Sequence, residues 1–265
     1  MLFRLKNYYS LCAVSLMLGG CVSNNGFPTF IPHSQGSEDS ISKLQIEGRG
    51  TVEQFSIAPG CIGRVEYKEE RGAYSDCDFF SVRSEVIEDV WEAKPYGLGQ
   101  PKSAWYGWEV YLPSNFPSAN HQQNGKYLLG QWHNGQCPHL SVVNRKESDS
   151  VGFEFLRTRG NYECQRAKFV KLTSLSKMRG RWTKFEFFVN WDEGQGEVIA
   201  YVDGENKGQF RGRTLVEGLE SKNSFRYGLY LCCTDNIDLI EPTFVRYANV
   251  SRSDTRDGLL VNSVQ

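Results

Sequence analysis

The sequence lacks most of the features that settle a protein's class at a glance. No apolar run reaches the roughly 20 residues that a helix needs to cross a bilayer, so no segment reads as a membrane-spanning helix. Acidic and basic residues almost cancel, 31 against 30. The chain as a whole therefore has no pull toward nucleic acid or an anionic surface, and any basic site must be local. No Cys-x-x-Cys spacing occurs, which argues against a zinc site. No long stretch carries the helical apolar period, and no repeat recurs at a fixed interval. What is abundant points the other way: aromatics make up 13% of the residues and there are 26 glycines, which suits many short strands joined by tight turns. All-β folds of this length often form one domain.

The first twenty residues hold Arg4 and Lys6, then the apolar run Leu11 to Leu18, then Gly19-Gly20-Cys21. This is the order of a secretory signal peptide. Leu18-Gly19-Gly20-Cys21 resembles a bacterial lipobox, which implies cleavage before Cys21 and lipidation of that residue. Residue 22 is Val rather than the Asp that often retains such lipoproteins at the inner membrane, so the expected location is the cell envelope, anchored in the outer membrane. Residues 1–20 then read as signal peptide, 21–43 as a flexible tether and 44–265 as the folded domain. Cys12 leaves with the signal, and six cysteines remain: Cys61, Cys77, Cys137, Cys164, Cys232 and Cys233. In an oxidising compartment these are disulfide candidates. Cys61 with Cys77 and Cys137 with Cys164 are nearest in sequence, but six cysteines allow 15 connectivities.

The chain after residue 44 reads as strands. Phe79 to Ile87 alternates, with Phe80, Val82 and Val86 on one face and Ser81, Arg83 and Glu85 on the other. Trp105 to Leu112 is a strand stopped by Pro113. Residues 114–126 read as a loop, and Tyr127-Leu128-Leu129 leads into Gly-Gln-Trp-His-Asn-Gly at 130–135, where Gln131 and His133 share a face and Trp132 turns to the other. Val151 to Arg159 places Phe153, Phe155, Arg157 and Arg159 at one parity. Lys184 to Trp191 and Glu197 to Val202 form a hairpin about residues 192–196, and Asp203-Gly204 makes the next turn before a bulky loop at 205–223. Phe225 to Leu231 sets Arg226, Gly228 and Tyr230 on one face, with Gly228 leaving room for a ligand to approach the backbone. Phe244 to Val250 closes the domain, and His121 and His139 read as loop or surface histidines. The expected fold is all-β, a jelly-roll (concanavalin-like) sandwich of two antiparallel sheets in a single domain.

Three polar faces stand on strands with apolar backs: Arg83-Ser84-Glu85, Gln131-Trp132-His133, and Phe225-Arg226-Tyr227-Gly228-Leu229-Tyr230. In this order they resemble the motifs of jelly-roll polysaccharide lyases, where alginate lyases carry Arg-Ser/Thr-Glu, Gln-x-His and Tyr-Phe-Lys-x-Gly-x-Tyr. The strand at 105–113, Gly180-Arg181-Trp182 and Asp203-Gly204 are more similar to the heparin lyase I and glucuronan lyase group. The resemblance covers roughly residues 60 to 252. Two departures stand out: Arg226 replaces the usual Lys, and the closing strand reads Tyr247-Ala248-Asn249-Val250 where an acidic residue is common.

The resemblance implies β-elimination on a polymer containing uronic acid. Gln131 and Arg83 would bind the carboxylate, His133 would be the base and Tyr230 the acid, or Tyr230 would perform both transfers. Arg226 beside Tyr230 would favour the phenolate, and Glu85 would orient Arg83. Arg157, Arg159 and Lys146 are candidate contacts to flanking sugars. No cofactor is required by this chemistry, a structural Ca²⁺ stays open, and the expected partners are an acidic polysaccharide and a membrane through the lipid anchor, with no nucleic acid and a monomeric chain. The alternatives are a non-catalytic polysaccharide-binding envelope lipoprotein and a sandwich-fold glycoside hydrolase, the latter needing two carboxylates about 5–5.5 Å apart for retention. Cys21→Ser should release the protein from the membrane fraction of expressing bacteria and abolish fatty-acid labelling; a variant still labelled and sedimenting with membranes would contradict the anchor.

Overall fold

The computed structural model describes residues 30–34, 40–60, 81–88, 101–118, 125–133, 137–145, 148–159, 163–215, 223–232 and 234–262, with backbone alone at 33–34, 156–159, 163–167 and 262. Two antiparallel seven-stranded sheets face each other. The first runs, in spatial order, β1 (Phe30–Ser34), β4 (Val82–Glu88), β13 (Ser224–Cys232), β6 (Lys126–His133), β7 (Pro138–Asn144), β8 (Ser150–Arg159) and β9 (Glu163–Ser174). The second runs β12 (Glu205–Gly212), β11 (Gly196–Val202), β10 (Trp182–Asn190), β5 (Ser103–Tyr111), β14 (Thr243–Ser253), β3 (Gly50–Ile57) and β2 (Ile41–Ile46). This is the jelly-roll sandwich read from the alternation of apolar and polar residues.

Aromatic side chains hold the sheets together. Trp108, at the middle of the second sheet, stacks on Phe187 with ring centroids 5.2 Å apart and meets Trp132 of the first sheet at 6.2 Å. Trp132 in turn packs on Phe225 at 5.0 Å. All four are fully buried, and side chains of this size supply the largest apolar areas a core can bury. Polar ties also cross the sandwich. Tyr227 donates to Glu53 at 2.5 Å, and Arg252 pairs with Glu88 at 2.8 Å while Glu88 also accepts from the amide of Phe225.

Several expectations are corrected. The segment assigned to a tether contains β1, which pairs with β4 from Phe30↔Glu88 to Ser34↔Ser84, and β2 begins at Ile41. One aromatic residue anchors it: Phe30 meets Tyr227 edge-on at 5.0 Å, a contact no periodicity reveals. The loop expected at 205–223 begins with β12, whose polar composition reflects an edge position facing solvent. Strands β7 and β9 went unread; β7 is buried along nearly its whole length and starts at Pro138, a tolerated position for proline. His139 is buried rather than superficial. The hairpin at 192–196 and the turn at Asp203 (φ 52) and Gly204 (φ 84) are present as read.

Burial raises four tyrosines. Tyr106 is pushed up to about 12, mainly by burial, and Tyr127, Tyr227 and Tyr247 are raised further, again first by burial. A phenol whose folded value exceeds the unfolded value of about 10 stabilises the fold fully below pH 10 and loses that contribution as the pH rises through its folded value. For Tyr106 alone the loss between pH 10 and 12 is on the order of 3 kcal/mol. Thermal melts should therefore fall steeply over that window, with a cooperative rise in phenolate absorbance; tyrosines that ionise gradually near pH 10 with unchanged melting would show that this burial is wrong.

Candidate active site

The site builds on the face of the first sheet turned away from the core. On β4, Val82 and Val86 enter the core while Arg83 and Glu85 take the other side. Across the β4–β13 ladder, Arg83 stands opposite Tyr230 and Glu85 opposite Gly228. Across β13–β6, Arg226 stands opposite Gln131 and Ser224 opposite His133. Six residues expected from separate motifs thus share one sheet face.

Contacts join four of them. Gln131 Nε2 donates to both oxygens of Glu85, at 2.9 and 3.1 Å, and Arg83 Nη1 approaches the same carboxylate at 3.4 Å. The guanidinium of Arg83 also lies over the Tyr230 ring, 4.2 Å from its centroid. Glu85 belongs to β4 and Gln131 to β6, so the hydrogen bond spans β13. Glu85 is fully buried and Gln131 nearly so, whereas Tyr230 and His133 above them are partly exposed. A buried carboxylate demands such donors, because leaving it unmet costs several kcal/mol. The arrangement is a rigid floor of charge with a phenol and an imidazole at its surface.

Gly228 differs from its expected role. At φ 137, a Cβ there would sit 2.3 Å from the carbonyl oxygen of Ser84 and 2.7 Å from Cα of Glu85. The glycine lets β13 close onto β4, rather than opening space for a ligand. The guanidinium against Tyr230 also differs: it belongs to Arg83, while Arg226 stands opposite Gln131. Of the other candidates, Arg157 and Arg159 lie on β8 with their side chains outside the described residues, and Lys146 lies outside them altogether. Cys137 and Cys232 are disulfide-bonded; Cys21, Cys61, Cys77 and Cys233, and the side chain of Cys164, are outside the described residues.

The motifs missed some neighbours. The rung through Gln131 continues to Ser141 and then Glu154, a fully buried carboxylate paired with Lys126. Glu154 alternates with Phe153 and Phe155, which marks it as facing away from the core. His33 of β1 stands opposite Glu85 in register; nothing in its sequence context signals that position. On the closing strand Asn249 donates to Glu109 at 2.7 Å, and Arg49 holds the other oxygen of that carboxylate at 2.8 Å. Among the described residues no group of three or more His, Cys, Asp or Glu could hold a metal.

The two facing sheets have counterparts among solved structures. The structure is similar to an endo-β-1,4-glucuronan lyase from the fungus Trichoderma reesei, with a TM-score of 0.57 at 15% identity over 86% of this chain and 97% of that one. It is similar to the alginate lyase of Klebsiella pneumoniae, with a TM-score of 0.51 at 12% identity over 84% of this chain and 87% of that one. It is also similar to the catalytic domain of a glycoside hydrolase family 131 protein from Coprinopsis cinerea, with a TM-score of 0.50 at 11% identity over 86% and 84%. At such identities these likenesses establish the fold alone. No curated protein matches the chain by sequence. The sequence profile of the polysaccharide lyase family matches residues 29–240, and the chain belongs to that family. The protein is a polysaccharide lyase.

The contact between Glu85 and Gln131 can be weighed directly. A double-mutant cycle with Glu85→Gln and Gln131→Leu, followed by urea unfolding, should give a coupling of at least about 1 kcal/mol. Additive effects would mean the two side chains do not meet.

Proposed function

We propose that the protein cleaves a polysaccharide containing uronic acid by β-elimination and leaves an unsaturated uronate at the new end. The observation that carries this reading is the chain of contacts from Gln131 through Glu85 and Arg83 to Tyr230. Elimination next to a carboxylate has three requirements: the carboxylate must be neutralised so that its α-proton becomes acidic, a base must reach C5, and an acid must reach the leaving O4. Arg83 and Gln131 meet the first as donors to charge that builds in the transition state. Glu85 holds both of them in place. Gln131, anchored on Glu85 through its amide nitrogen, stands beside Arg83 as the second group assigned to the substrate carboxylate.

His133 or Tyr230 takes the C5 proton. The electrons of that C–H bond form the C4–C5 double bond, the C4–O4 bond breaks toward oxygen, and O4 leaves with a proton from Tyr230. Arg83 against the ring lowers the cost of the phenolate, as a cation beside a phenol does. Arg226, opposite Gln131, and basic residues such as Arg157, Arg159 and Lys146 bind carboxylates of neighbouring sugars. The chain acts as a monomer, tethered through lipid on Cys21 to the outer membrane of the cell envelope. The disulfides at Cys137 and Cys232 support an exported, oxidising location.

Tyr230→Phe and His133→Ala are each expected to lower kcat by the ~10²–10⁴ typical of a positioned acid or base, followed through the ultraviolet absorbance of the unsaturated product on a panel of acidic polysaccharides. Mass spectrometry of the fragments should show the loss of one water relative to hydrolysis. Fragments of full hydrolytic mass, or near-native turnover in both variants, would reject the assignment.

A further inference from the structure

The face that carries Gln131 and His133 exists only because β6 changes phase. Tyr127 and Leu129 belong to the core, yet Gln131 and His133, which share their odd parity, face the other way, while Trp132 returns to the core. In a regular strand residues two apart lie on one face, so the alternation slips at Gly130. The ladders record the same event. Pairing between β13 and β6 runs to Arg226↔Gln131 and resumes at Tyr230↔Leu128, leaving Tyr227, Gly228 and Leu229 opposite Leu129 and Gly130. The β6–β7 ladder shifts between Leu128 and Gly130. Without this bulge a one-residue slip would send the catalytic face of β6 into the core.

One side chain from the opposite sheet holds that irregularity. Tyr247 lies on β14, paired with Val110 of β5 and Glu53 of β3, and its ring crosses the sandwich with only 1% of its surface exposed. Its hydroxyl donates to the carbonyl oxygen of Leu129 at 2.5 Å and shares the same proton with the carbonyl of Gly228 at 2.9 Å. Both carbonyls lie inside the bulge, one on each of the two strands that bear the site. Burial, and then the charge of Glu85, keep the phenol protonated well above its usual range, so the donor persists wherever the enzyme is folded.

We infer that Tyr247 is a positioning residue for the elimination: by pinning the bulge from beneath, its hydroxyl fixes the phase of Gln131 and His133 relative to Glu85 and Tyr230. The inference rests on the proposed roles of those residues. A stability role is separated from it by a second buried phenol, Tyr227, which lies in the same bulge and packs on Tyr247 but whose hydroxyl donates to Glu53 of β3 and to neither bulge carbonyl.

The test compares Tyr247→Phe with Tyr227→Phe, both of which keep the ring. Tyr247→Phe is expected to lower kcat by about 10- to 100-fold, the scale of a small misplacement of reacting groups, with KM within about threefold of wild type. Tyr227→Phe should lower the melting temperature comparably and leave kcat within about twofold. A crystal structure of Tyr247→Phe should show the Gln131 to Glu85 hydrogen bond lost or displaced. Wild-type kcat in Tyr247→Phe, or equal losses of kcat in both variants, would overturn the inference. Should Tyr247→Phe fail to fold, fluorotyrosine at position 247 keeps ring and hydroxyl while changing donor strength; unchanged kcat across a graded series would overturn it as well. A wild-type enzyme inert on every polyuronate would instead sink the elimination reading, and the variant's crystal structure would still decide whether Tyr247 sets the geometry.

Discussion

A carboxylate with no access to solvent sets the terms for this site. Glu85 is fully buried, and a charge in that position is tolerated only where donors surround it. The demand is met across three strands, by Arg83 from its own strand and by Gln131 from two strands away. Everything between them must conform: the strand order β4, β13, β6, the glycine that lets β13 approach β4, and the register that brings Gln131 level with Arg226. Arg83, held by Glu85 below, lies over the ring of Tyr230, so a constraint on one buried charge reaches the exposed phenol.

The two faces of the same sheet serve opposite ends. Toward the second sheet, Trp132, Phe225 and Trp108 interlock as an aromatic core. Away from it, residues next to these in sequence build the polar network. A strand achieves this division cheaply when alternation is regular, and β4 and the start of β13 do so. Strand β6 cannot, because its first half supplies Tyr127 and Leu129 to the core at the same parity as Gln131. The bulge resolves the conflict, and Tyr247 satisfies the carbonyls it leaves inside the sandwich. Strand β14, remote in sequence from the motifs, is therefore mechanically part of the site.

Several parts of the site were legible as text. Arg83-Ser84-Glu85 and Phe225 to Tyr230 alternate cleanly, so the apolar neighbours declare which way the polar ones point. Other parts were not. Phe30 sits in a stretch whose Asn, Gly, Pro and Ser read as tether, and the pairing with β4 together with the contacts to Tyr227 and Phe225, nearly two hundred residues away, makes it a strand. Gly228 read as an opening for a ligand because a sequence shows a missing side chain without showing which backbone closes on it. Gly130 did carry a signal, since an isolated glycine within a strand marks a bulge, and with it the change of phase could have been anticipated.

The sequence by itself determined the class of fold, the polar triplets and the family to which they belong, because alternation, turn residues and motif order are local properties that survive in a one-dimensional string. Which guanidinium lies against Tyr230, that Glu85 binds Gln131 as well as Arg83, and that a tyrosine from the far sheet underpins the bulge were decided only by the tertiary structure. Each of these depends on register between strands distant in the chain, and register is fixed by packing the whole sandwich at once, not by any segment alone.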